Sequence, residues 1–324
     1  MLRPSHLAFV LLATASAAVG TAAPAPDVGR SIAAVRRFAK SAGDKLWHGY
    51  GSAPFEFLLV AGDKEELFCR ASAPEGFKAE GMDAVSGCAR FVRPRSGLPD
   101  KLLAALPVFG PPSTIVMGTP ESTGRSDADW TRTILHEHFH EWQDSLPGIY
   151  PRIANLDLAG TDNSGMWMLN YPFPYSDPAV VSAFNDASHA LGAAVDARGE
   201  PGFSAALGKY LDARAKVAAA AGEKNWRYAE FELWKEGVAR WTEIELGKHY
   251  PDAAVSKSAF DLERKTRAWL DKPDLTGAGR EFVYPVGASE AMLLEACNPE
   301  WRSQYPNELA LGPLLEAARH HCRG

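Results

Sequence analysis

The stretch SDADWTRTILHEHFHEWQ, residues 126–143, contains neither glycine nor proline and opens on Ser and Asp. Those two residue types accept hydrogen bonds from the free amides at a helix start, so the segment is predicted to be helical. No other feature constrains the chain as much. Three histidines and two glutamates crowd into 136–141, and the backbone decides which of them can meet. At about 100° per residue, Leu135, Phe139 and Trp142 form one stripe, the expected core face. His136 and His140 share a second face with Glu137 beside it. His138 points roughly opposite that pair. The cluster therefore resolves into H-E-x-x-H, with His138 in an x position.

That spacing has a chemical reason. Two imidazoles one helical turn apart can hold one zinc ion, and the neighbouring carboxylate can reach a zinc-bound water. Zinc lowers the pKa of that water towards neutrality, and the glutamate takes its proton as general base. On a strand instead, His136 and His138 would share a face, as in a cupin-type H-x-H site, but the Gly-rich turns of such sites are missing here. Glu137-x-x-His140 also matches half of a di-iron motif, yet the chain has no second E-x-x-H. A polar helix face with uncoordinated histidines is the plainest alternative.

A catalytic zinc usually takes three protein ligands and keeps one open position. Gln143 stands where a third-histidine pattern would need glycine, so the third ligand must lie further on. The candidate is Glu236 in ELWKEGVARWTE. On a helix, Glu232, Glu236, Arg240 and Glu243 form one stripe, and Trp234, Val238 and Trp241 form the opposite, core-facing one. The charged stripe faces either a metal cleft or solvent, where Glu–Arg pairs would stabilise it. Gly237 costs such a helix up to about 1 kcal/mol against alanine; a close approach to the H-E-x-x-H helix would explain it.

HEHFHEWQ followed by EGVARW resembles the gluzincin type of zinc metallopeptidase, in which H-E-x-x-H-x-x-Q precedes a helix reading E-G-[VL]-A-x-[YW]. The resemblance covers two short motifs. It implies an α+β, zincin-like fold, with a small mixed sheet packed on the H-E-x-x-H helix and a mainly helical C-terminal half. It implies His136, His140 and Glu236 as ligands of one zinc ion, and Glu137 as general base and later proton donor. The interval from His140 to Glu236 is long compared with the thermolysin type, so helices are inserted between them. STIVMG, Thr114 to Gly118, is either the edge strand that pairs with extended substrate or an ordinary sheet strand. Tyr284 in EFVYPVG is the first candidate for oxyanion donor, with Arg240 and His249 as rivals.

The rest of the chain fits an α+β reading. Arg30 to Ala42 is a first helix. FEFLLV and EELFCR read as strands joined by the turn AGDK, and CARFVRP and STIVMG as further strands, separated by the loops RPRSGLPD and FGPPS. A loop runs from Leu146 to Asp177. Helices come next at 178–197, 202–220, about 225–248 and near GASEAMLLEA. The division is a signal peptide over 1–23, an α+β part over 24–145, and a mainly helical part over 146–324 carrying the third ligand.

The signal is read from MLRPSHLAFVLLATASAAVGTAAPAPD: Arg3, an apolar run from Leu7, and a small-x-small cleavage site at Thr21-Ala22-Ala23. An uncleaved anchor is the alternative. Export to a periplasmic or extracellular compartment bears on the cysteines. Cys69, Cys88, Cys297 and Cys322 are even in number and lack C-x-x-C spacing, which favours disulfides over free thiols. Of three pairings, Cys69–Cys88 and Cys297–Cys322 close the shortest loops. A formal net charge of -6 with no basic run argues against a nucleic-acid partner. No later segment is long and apolar enough to cross a membrane. The expected function is thus an exported zinc metallopeptidase acting on a peptide or protein substrate. The alternative is a zincin-fold peptide- or ligand-binding protein with little or no catalysis, in which Glu137 would have no chemical need to persist.

Overall fold

The computed structural model describes residues 28–162 and 165–322. The expected signal segment 1–23 lies outside the described residues. An opening helix, α1 (Val28–Ala42), leads into six strands: β1 (Phe57–Ala61), β2 (Lys64–Phe68), β3 (Lys78–Met82), β4 (Ala89–Pro94), β5 (Leu103–Leu106) and β6 (Thr114–Gly118). They form one sheet in the order β3-β4-β2-β1-β6-β5. β1 and β6 are parallel and every other pair is antiparallel, so the sheet is mixed.

Alternation along β1 and β6 explains why these two strands sit inside it. Phe57, Leu59, Ile115 and Met117 point to one face and join the main core, whereas Leu58, Val60 and Val116 point to the other and pack with Leu67 and Phe91. A strand buried on both faces has no room at an edge. Thr114–Gly118 is therefore an ordinary interior strand, not the edge, because β5 covers its outer side with Leu103 opposite Met117 and Leu106 opposite Thr114. β3 and β5, KAEGM and LAAL, carry no β-branched or aromatic residue, which left them without a strand signal.

The helix α2 (Asp127–Asp144) packs on this sheet. Ser126 caps it, its Oγ accepting from the Asp129 amide at 3.1 Å, and Trp130 Nε1 donates to Gly118 O at 2.8 Å to tie it to β6. Leu135, Phe139 and Trp142 are core, as their stripe predicts, but α2 is buried on all faces from Trp130 to Gln143. Seven longer helices downstream of it form the helical half of the protein: α3 (Pro178–Asp196), α4 (Phe203–Ala221), α5 (Glu223–Glu232), α6 (Val238–Lys248), α7 (Ala253–Trp269), α8 (Val283–Cys297) and α9 (Gly312–Arg319). Of these, α6 and α7 pack directly on α2. Short helices at Ile149–Ala154 and Trp167–Asn170 interrupt the expected loop. One hydrophobic cluster runs from Ile32 to Cys322 and joins sheet and helices. At its centre Trp47 touches Phe139, Trp142, Trp241, Trp301 and Tyr305, and donates to Thr242 Oγ1 at 2.9 Å. This aromatic packing fixes α6 against α2. Disulfides Cys69–Cys88 and Cys297–Cys322 join the end of β2 to the residue before β4 and the end of α8 to the residues after α9.

Between α5 and α6 the helix passes through one π turn, Leu233–Gly237, a wider turn than the α-helix makes. Gly237 ends it. Its close neighbour is not α2, as the sequence suggested, but α8: a Cβ at Gly237 would meet Gly287 Cα at 2.4 Å, and one at Gly287 would meet Gly237 Cα at 2.7 Å. Backbone faces backbone, so neither side can yield by a rotamer change. Gly237→Ala is expected to destabilise the protein by about 1–3 kcal/mol or more, read as a lower denaturation midpoint. It should also weaken metal retention, because Glu236 is the residue before it.

Candidate metal centre

His136 and His140 leave α2 on one face, one turn apart, and Glu236 comes to meet them from the π turn. His136 Nε2 and His140 Nε2 lie 3.2 Å apart; Glu236 Oε2 is 3.5 Å from the first and 3.2 Å from the second. These three residues are the group of metal-capable side chains found among the described residues. Their spacing can be tested against an ion. A tetrahedral site with bonds of 2.0–2.1 Å separates its ligand atoms by about 3.3–3.4 Å. The three atoms thus stand where three corners of such a site would be, and the fourth corner is free.

The tautomers agree. Gln143 Nε2 donates to Lys235 O at 3.1 Å and to Tyr305 Oη at 2.6 Å, and Tyr305 in turn donates to Trp234 O at 2.7 Å. That fixes the amide with its oxygen towards His140, 2.7 Å from Nδ1. Nδ1 must then carry the proton, and Nε2 keeps its lone pair. His136 Nδ1 faces Glu243 Oε2 at 3.4 Å, a long contact that forms no hydrogen bond. Glu243 is itself held by a hydrogen bond from Arg132. The Nε2 lone pair of His140, Nε2 of His136 and a carboxylate oxygen thus converge on one point. Such a point wants a cation. The His136 imidazole shows the same thing: burial pushes it down, but Glu236 and Glu243 outweigh burial and hold it at about 9.

Glu236 uses its other oxygen differently. Arg280 Nη2 donates to Glu236 Oε1 at 2.9 Å and to Glu232 Oε2 at 2.5 Å. This turns Oε2 of Glu236 to the histidines. Glu232 and Glu243, expected to support the site or to face solvent, are both buried around it. No protein-family model, no curated protein and no solved structure matches this chain. The chemistry open to the centre is set by its own atoms.

Glu137 and His136 line a cleft of about 530 Å³ together with Leu103, Arg240, Glu243 and Tyr284. Burial pushes the Glu137 carboxyl up; a cation at the adjacent donors would pull it back down. Tyr284 has its ring 5.9 Å from that of His136 and its hydroxyl 3.5 Å from Arg280 Nη1. Arginine only donates, so the Tyr284 hydroxyl keeps its own proton to give, and burial holds that proton on. His249 drops out as a rival: it is exposed at the end of α6 and does not line the cleft. Arg132 and Arg280 were not singled out from sequence. Arg132 had a legible signal, being one turn before His136 on the same face.

His138 sits on the other side of α2, buried against the rings of Tyr50 and Phe55 at 4.6 and 4.9 Å. Its Nδ1 is 2.8 Å from Glu141 Oε2. Burial pushes the imidazole down to about 3 and the Glu141 carboxyl up, so the pair is neutral. His138→Ala is expected to retain metal at the parent stoichiometry. It should lose about 1–3 kcal/mol of stability by leaving a buried carboxyl oxygen unpaired. Metal analysis and denaturant titration of the same sample check both halves.

Proposed function

We propose that the chain is an exported zinc-dependent hydrolase, a metallopeptidase of the gluzincin type with a zincin-like fold. The observation that carries this is the convergence of two imidazole nitrogens and one carboxylate oxygen at tetrahedral spacing, with Glu137 beside them on a cleft wall. A His, His, Glu donor set with an open fourth corner suits catalytic zinc. When bound there, zinc would polarise a carbonyl oxygen and acidify a water molecule.

The protein's own groups supply the rest. Glu137 accepts the proton of the attacking water at a carboxylate oxygen and passes it to the leaving nitrogen. Tyr284 donates its hydroxyl proton towards the oxyanion. Glu243 and Gln143 orient the two imidazoles, and Arg280 orients Glu236. β5, the edge of the sheet on the cleft side, offers its outer backbone groups to an extended peptide, with Leu103 on the wall. Two disulfides support an oxidising compartment. Among the described residues no helix is long and apolar enough to cross a membrane.

Metal analysis of the purified chain, followed by digestion of a broad peptide library, tests the proposal. About one zinc per chain and metal-dependent cleavage are expected. Zinc with no cleavage of any peptide would leave a binding protein instead, and no retained metal would overturn both.

A further inference from the structure

The acids on the cleft wall are mostly engaged. Asp129 and Glu243 are paired with Arg132, and Asp261 with Lys257. Two acids on the wall make no ion pair among the described residues: Glu137, buried beside the histidines, and Glu281, exposed near Tyr284. Among the described residues, two bases on the wall are not paired at all, and a third is paired without a hydrogen bond. Arg125 and Lys265 are exposed and make no ion pair among the described residues. Arg240 makes one ion pair among them, Nε to Glu243 Oε2 at 3.3 Å, without forming a hydrogen bond. Its Nε is buried, yet the side chain is 25% exposed, so its terminal nitrogens are the part that reaches the cleft.

The position of that guanidinium is fixed. It stacks over Tyr284, 4.8 Å from the ring centre, and the Tyr284 ring is in turn 5.9 Å from that of His136. Stacking uses the face of the guanidinium and leaves its in-plane N–H groups to an acceptor. Glu243 Oε2 touches both Arg240 Nε, at 3.3 Å, and His136 Nδ1, at 3.4 Å, which puts the guanidinium within about two residues of extended chain, at about 3.4 Å each, of the His136 ring. A planar, pre-oriented fork short of an acceptor matches a carboxylate.

We propose that the cleft selects peptides bearing a carboxylate within two residues of the bond to be cut, and that Arg240 receives it. This rests on the peptidase reading and adds the substrate class. The carboxylate can belong to an Asp or Glu side chain or to the C-terminus of the peptide, since the chemistry is the same. Arg125 and Lys265 add attraction along the wall. The preference runs against the chain's net charge of -6, which by itself repels acidic peptides.

The test uses the full chain with zinc bound and matched peptides that differ only as Glu against Gln, or as free against amidated C-terminus. Hydrolysis is measured on the parent protein, and binding of the same peptides on Glu137→Gln. The carboxylate member of at least one pair is expected to be favoured about tenfold or more in kcat/KM and in Kd. The pair that shows the preference identifies its source. Arg240→Gln should bring that ratio close to one, and Arg240→Lys should keep part of it. Equal treatment of both members of both pairs, or a ratio unmoved by Arg240→Gln, overturns the proposal. A tenfold binding preference that Arg240→Gln removes, with no hydrolysis by the parent, supports the role of Arg240 and overturns the peptidase reading instead.

Discussion

Glu137→Gln is expected to abolish most hydrolysis, by about 10²- to 10⁴-fold, while the protein stays folded and keeps its zinc. The reason is positional. Glu137 is next in sequence to a ligand and lines the cleft, but it does not belong to the converging group of His136, His140 and Glu236. An amide of the same shape can still hold a water by hydrogen bonding; it cannot take the proton. The loss should therefore fall on kcat, with peptide affinity little changed. Zinc content, thermal unfolding and kinetics on one peptide suffice. Hydrolysis at the parent rate would exclude Glu137 as the base and, with it, the zincin mechanism.

How much of this site was readable in advance depends on distance along the chain. His136, Glu137 and His140 are legible from helical spacing alone, since one turn of helix fixes their common face. The exclusion of His138 comes from the same geometry, and it packs against Tyr50 and Phe55 on the far side. Glu236 needed a motif, because nothing local links residues 140 and 236. Arg280 carried no pattern at all: its role appears only when α8 crosses the π turn at the Gly237–Gly287 contact. The same limit explains β5. LAAL has no strand propensity and pairs because β6 lies beside it, so the interior place of β6 was hidden too. The complete burial of α2 was also hidden. A plain polar face was the alternative reading of its histidines and glutamates, yet they are buried, with His138 held against Glu141 and Arg132 against Glu243 on α6. Amphipathic patterns assume that polar means wet, and a functional centre is where that assumption fails.

Glu236→Gln should fail in the opposite way, through the metal. The Glu236 carboxylate supplies the one negative charge among the three converging atoms and is tied on its other side to Arg280. An amide in its place offers a weaker, neutral oxygen, and its NH₂ cannot accept from Arg280. Either orientation of that amide is poor: with the nitrogen towards the histidines the third donor is lost, and with it towards Arg280 donor meets donor. Zinc affinity is expected to fall by at least about 10- to 100-fold, the scale seen when partners of ligands are removed, and activity should fall with occupancy. Excess zinc should then restore part of the activity of Glu236→Gln and none of that of Glu137→Gln. This difference separates ligand from base in a single titration. Parent-like zinc affinity in Glu236→Gln would move the third ligand elsewhere. Glu243, already 3.4 Å from His136 Nδ1, could take the metal only if that ring turned over. Glu232 would first have to release Arg280.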